Sequence, residues 1–213
     1  EVEGNIKFFS SYVDFVNWHD ANTPTVGLNA SVDVGGFAGT INFLHDGVSD
    51  VLPNNALSGW RPVAPFYLEH FQIETTTKGD LSGIDYTTRV QDALNATEGE
   101  LKFTGFVKIT DKITSPNKCR IHSPNGAHYG GFNIPSTFNL SADCVYQPGA
   151  MEPGSQNGSL TFWFEQPTAL TTPRADLIQY PNCMDTGNPI IPRAGFEHVR
   201  VEQGWNNIVM LGN

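Results

Sequence analysis

The chain has 213 residues, enough for one domain or two small ones around a substantial core. Its 12 Lys and Arg face 22 Asp and Glu, a formal charge of −10, and no five-residue window holds more than two basic residues. This excludes the basic face that phosphate neutralisation requires and disfavours an anionic membrane surface, and no apolar run is long enough for a spanning helix.

Taken in chain order, the periodic signal is mostly two. NIKFF (5–9), YVDFVNW (12–18), GTINFL (39–44) and FYLEHFQIE (66–74) read as short strands. DYTTRVQDALNATEG (85–99) reads as a helix, with an Asp to cap it, a Gly to stop it, and Val90 four residues before Leu94. In ELKFTGFVKIT (100–110), Leu101, Phe103, Val107 and Ile109 share one parity, and Lys102, Thr104, Lys108 and Thr110 the other. TFNLSADCVY (137–146) and SLTFWFEQ (159–166) alternate in the same way, and HVRVE (198–202) and NIVML (207–211) add two further candidates. Turn signals such as NTP, DG, KGD and PNG separate nearly all of them. Two polar stretches, 147–158 and 181–195, read as long loops. No internal repeat or interdomain linker is visible. The expected fold is all-β: one domain over 1–213, an antiparallel β-barrel or β-sandwich with long loops and at most one or two short helices.

Only 16% of residues are charged, so amides, hydroxyls and glycine must coat the surface. The chain begins EVEGNIKFF, without an initiator Met or signal pattern, and ends NIVMLGN, so both ends read as cut. Cys119, Cys144 and Cys183 are too few for a disulfide scaffold; one bridge plus a free thiol, or three buried thiols, both remain open. Sequons fall at Asn29, Asn95, Asn139 and Asn157. Few disulfides with unused sequons would suit a protein folded in the cytosol and later exposed outside.

The residues that invite chemistry begin with CRIHSPNGAHYGG (119–131), where Cys119, His122 and His128 give C-x2-H-x5-H. Zinc takes such ligands. If CRIH is a strand, however, Cys119 and His122 point to opposite faces, which is wrong for shared chelation. A strand followed by a loop is the plainer reading. No G-x-S-x-G elbow and no glycine-rich phosphate loop occurs. Glu165 lies two residues from Trp163 on the polar parity of its strand, which would suit a sugar cleft, but a second carboxylate is unassigned. Trp18, Trp60 and Trp205 sit in turn-like settings, where they either stack on a partner or plug the ends of the core. A KGD triplet (78–80) falls in a turn. Candidate binding residues are Trp60, His128, Tyr129, Trp163, Glu165 and Trp205; no catalytic residue, metal ligand or cofactor is assigned.

In size, polar β-rich character and cut ends, the chain resembles the protruding spike domain of a non-enveloped RNA virus capsid, astrovirus-like. The resemblance implies a homodimeric β-barrel at the virion surface that attaches to a host receptor, protein or glycan. It further implies a target for neutralising antibodies, without enzymatic activity, cofactor, nucleic acid or membrane insertion. The alternatives are a secreted carbohydrate-binding protein or glycoside hydrolase on a β-sandwich, and an extracellular adhesion module.

Overall fold

Tyr12, Phe15, Val16 and His19 are spaced for one face of a helix, and Ser11 stands before them as a cap. In the computed structural model this spacing prevails, and 12–18 is helical rather than the expected strand. The structure describes residues 5–36, 38–52, 57–115, 119–125, 129–138, 144–147, 160–165 and 176–178. The strands expected at 198–202 and 207–211, the loop 181–195, most of the loop 147–158, and Asn139, Asn157 and Cys183 lie outside these residues. Two compact units divide the chain, 1–74 and 75–213. The described fold is mainly β with two short α-helices.

The first unit holds β1 (Ile6–Phe9), α1 (Tyr12–Ala21), β2 (Asn29–Gly35), β3 (Gly39–His45) and β4 (Trp60–Val63), then β5 (Phe66–Tyr67) and a 3-10 turn, Leu68–Phe71. Its sheet runs β1-β2-β3-β4. The β2–β3 and β3–β4 pairs are antiparallel, as expected, but β1 pairs parallel with β2. Parallel neighbours need a crossover, and α1 supplies it. Ser11 Oγ accepts from Asp14 N at 3.0 Å and satisfies one orphan donor of the first turn. Phe15 is fully buried, with its ring 5.0 Å from Phe9, 5.1 Å from Phe43 and 4.9 Å from Trp60. Burying one such ring stabilises by roughly 1.5–3 kcal/mol, enough to override the weak two-residue alternation of this stretch. The expected strand 66–74 is cut short for a related reason: Leu68, His70 and Phe71 all turn into the core, which a flat strand does not allow.

The second unit opens with α2 (Thr87–Ala96), where the helix was expected. The Asp85 carboxylate accepts from Thr87 N (3.0 Å) and Thr87 Oγ1 (2.6 Å), and Val90, Ala93 and Leu94 are buried. Eight short strands follow: β6 (Gly99–Lys102), β7 (Phe106–Lys108), β8 (Ile113–Thr114), β9 (Cys119–His122), β10 (Gly131–Ile134), β11 (Cys144–Gln147), β12 (Thr161–Phe164) and β13 (Asp176–Ile178). The pairs β6–β9, β7–β10, β10–β12, β8–β11 and β11–β13 are all parallel. β9, β10 and β11 therefore each lie on the strand three before, so β6-β7-β8 forms one rung and β9-β10-β11 the next, with β12 on β10 and β13 on β11. This is a parallel β-solenoid. The expected antiparallel pairing fails here, and no closed barrel is found among the described residues.

Inside the coil, side chains stack in columns. Leu101 lies beside Ile121, and Val107, Phe132 and Phe162 occupy one register row. The Phe103–Phe132 and Phe132–Phe162 centroids are 5.1 and 5.2 Å apart. The segment 100–110 alternates as expected but turns a corner at 103–105, which splits it into β6 and β7.

Candidate functional site

The strand parity that sends Val107, Phe132 and Phe162 inward sends Lys108, Asn133 and Trp163 outward in one row across three rungs. All three hold the same object, the segment 75–86, which runs over this outer face as a strap. Thr76 exchanges backbone hydrogen bonds with Phe106 (2.7 and 2.9 Å), and Tyr86 N donates to Lys108 O (2.9 Å). Between these anchors the strap carries the KGD turn. Asn133 is fully buried beneath it. Its Oδ1 accepts from Gly79 N at 2.8 Å, and its Nδ2 donates to Thr77 O and Asp80 O at 2.9 Å each. Lys108 Nζ donates to Leu81 O (3.1 Å) and Gly83 O (3.3 Å). Gly79 has φ +85°, and a Cβ there would lie 3.3 Å from Trp163 Cζ2, so the indole packs directly on this turn. Lys78 is exposed at its tip. Hydrogen bonds from the hydroxyl and amide of Ser82 hold the Asp80 carboxyl below its ordinary range.

Glu165 sits at the end of β12 and fastens one rung to the next. Its N donates to Ile134 O (2.8 Å), and its Oε2 accepts from Ser136 N (2.9 Å) and Ser136 Oγ (2.8 Å). Those bonds, the amide first, hold its carboxyl below the usual range. A glycosidase acid needs the opposite shift.

The other sequence candidates disperse. Trp60 is fully buried in the first unit, where its Nε1 donates to His19 Nδ1 at 3.2 Å; it plugs a core and presents no surface. Tyr129 is 59% exposed, just before the Gly130–Gly131 pair that opens β10. Those glycines are obligatory: a Cβ on Gly131 would run into the Thr161 backbone, and one on Gly130 would lie 2.5 Å from Phe103 O. His128 and Trp205 lie outside the described residues. CRIH is a strand, as read: Cys119 and Ile121 are buried while Arg120 and His122 face outward. Burial pushes the Cys119 thiol up to about 12, which suits a core residue and not a ligand or nucleophile. On the outer face of that pair, Glu100 stands 3.7 Å from Arg120 and 3.9 Å from Lys102. Among the described residues no group of three His, Cys, Asp or Glu is placed to hold a metal ion.

Lys108 and Asn133 were not singled out from sequence. Asn133 does show as the one polar residue between Phe132 and Ile134, but its partners lie 53 to 56 positions away. Only the rung register brings them together.

No protein family and no curated relative matches the chain. Among solved structures it is similar to the gp42 tailspike of Acinetobacter phage vb_AbaP_AS12, with TM-score 0.49 and 16% identity. The match covers 82% of this chain and 34% of that one, so the chain spans about a third of the neighbour's length.

Proposed function

We propose that this chain is a non-enzymatic attachment module, displayed on a virion-type surface, that grips an extended host ligand along the outside of its solenoid. One observation carries this reading: consecutive parallel rungs place outward side chains in fixed rows, as Glu100 beside Arg120 and Lys102 beside His122 stand on β6 and β9, whereas the row of Lys108, Asn133 and Trp163 is covered by the strap. Rows roughly 4.8 Å apart form a rigid ladder, and stacked repeats offer long surfaces rather than one deep pocket. Such a ladder suits a polymer, and a glycan is the class that an amide- and hydroxyl-rich exterior serves best. The carboxylate with the strongest claim to catalysis, Glu165, is committed to Ser136, and Gly79 packs on its neighbour Trp163. Neither is set up for cleavage. The capsid origin and the homodimer stand as the narrower form of the proposal.

A glycan array probed with the purified chain, followed by analysis of the bound sugars for released reducing ends, tests it. Retention without product is the expected result. Product release that Glu165→Gln abolishes would replace it with the hydrolase reading. Light scattering at high concentration tests the dimer, which should give twice the 23.3 kDa chain mass.

A further inference from the structure

Three of the six histidines lie in the unit 1–74 and touch its aromatic core, His45 and His70 buried and His19 half-buried. His19, in the last turn of α1, accepts the Trp60 indole N–H on Nδ1 at 3.2 Å. His45 closes β3 with its ring centroid 5.0 Å from that of Trp60. Its Nδ1 is buried without a hydrogen-bond partner, and its Nε2 is so close to Gly59 that a Cβ there would stand 2.6 Å away. His70 is fully buried, 5.0 Å from the Phe43 ring. Its Nδ1 accepts from Tyr67 N (3.1 Å) and its Nε2 pairs with Asn42 O (3.1 Å), which makes Nε2 the protonated nitrogen.

The arrangements at His19 and His70 require a neutral ring. At His19 and His70 the lone pair that would take a proton already receives an N–H, so protonation sets donor against donor. The charged groups facing them are few. His19 has Asp20 beside it and His45 across from it. His45 is followed by Asp46, whose carboxylate is engaged by Ser49 and Arg61. His70 has Glu69 next to it, with Tyr67 and Tyr12 as the titratable neighbours packed around it.

We propose that His19 and His70 form an acid-operated latch: as pH falls below neutral they take up protons together, and α1 and the 66–71 segment part from the sheet β1–β4. The two arms of the latch are distinct elements, one held through Trp60 and the other through Asn42, and they meet on adjacent aromatic rings of one core. Burial favours the neutral imidazole at His70, lowering it to about 4, and lowers His19, where Asp20 opposes and His45 reinforces the effect. The unfolded chain charges its histidines near 6.5. The stabilisation is therefore complete above that value and is lost as pH falls towards 4. This inference concerns the first unit and does not depend on what the solenoid binds.

The test is a set of urea melts of the full chain, followed by tryptophan fluorescence from pH 7.5 to 4, beside one-dimensional NMR of the histidine ring protons. The expected midpoint falls with pH on a slope of more than one proton, and His19→Gln/His70→Gln, which keeps an acceptor at both sites, flattens it. A midpoint independent of pH, or an unchanged slope in the double variant, overturns the latch. Should that variant not fold, the wild-type ring protons decide. His19 and His70 rings that titrate only as the core signals collapse support the latch, and titration of either near 6.5 with the core intact refutes it.

Discussion

Replacing Asn133 by alanine should free the strap without unwinding the solenoid. The side chain is fully buried and makes three well-formed hydrogen bonds, to Gly79 N, Thr77 O and Asp80 O, at 2.8–2.9 Å. Each such bond contributes about 1 kcal/mol net; Thr77 O keeps the Asp80 N–H at 3.1 Å, while Gly79 N and Asp80 O lose the Asn133 amide. The loss is therefore about 3 kcal/mol if the strap stays closed. Opening rehydrates those groups, so the equilibrium should swing towards the open strap by roughly 100-fold, at about 1.4 kcal/mol per factor of ten. Trypsin reads this directly. Lys78 is exposed at the tip of the turn, yet its peptide bond runs into Gly79, whose N–H is held by Asn133 and whose face is held by Trp163. When opening is fast, cleavage follows the open population. Mass spectrometry of the 78–79 cut should show about 100-fold faster cleavage in Asn133→Ala. A rate within twofold of wild type would refute the clasp, because it would mean that Thr76, Tyr86 and Lys108 hold the strap alone.

Other outcomes follow from the same physics. Gly131→Ala places a Cβ on the Thr161 backbone at φ +154°, so urea melts should show a loss of about 3 kcal/mol or more, with the β10–β12 ladder most affected. Cys119 should resist alkylation at pH 8 in the folded chain and react in urea, as read on its tryptic peptide; labelling of the folded chain at a free-thiol rate would contradict its burial. The Asp46 carboxyl is lowered to about 2, first by Ser49 Oγ and then by the Val48 and Ser49 amides. A depressed carboxylate stabilises its turn above the ordinary pKa and loses that contribution as pH falls through 2. The Val48 and Ser49 amide shifts should therefore titrate near 2, and a midpoint near 4 would show that the turn is not formed.

Much of the second unit was legible in its residues. Leu101, Phe103, Val107 and Ile109 share one parity in the sequence and are all buried in the structure. Cys119 with Ile121, and Arg120 with His122, separate as strand alternation requires. Asp85 anchors α2 as expected. In the first unit the overlooked signal was the 12, 15, 16, 19 spacing behind Ser11, because Tyr, Val, Phe and Trp are also strand formers and their chemistry masked their period. Of the site candidates, Trp163 and Glu165 were placed on the correct face, but their neighbours were not foreseeable. Trp60 was misplaced because a tryptophan beside Gly and Pro looks the same whether its ring points to water or to Phe15.

What the amino-acid order settled by itself was the faces of the second unit's strands and the place of α2; the helix at 12–21 and the breaks at 68–71 and 103–105 were decided by packing. The order left open which strand lies beside which. An alternating strand buries one face equally well in a sandwich, a barrel or a coil, so periodicity carries no information about the partner. The coil also hides its own repeat. Its register offsets are 20 residues from 99 to 119, 25 from 106 to 131, 30 from 131 to 161, 32 from 144 to 176 and 33 from 113 to 146. Loops of changing length erase any fixed period while leaving the strands in line. The pairing is decided in three dimensions, where Phe132 can stack on Phe162 and Asn133 can reach the strap only if successive turns of chain lie parallel and in step.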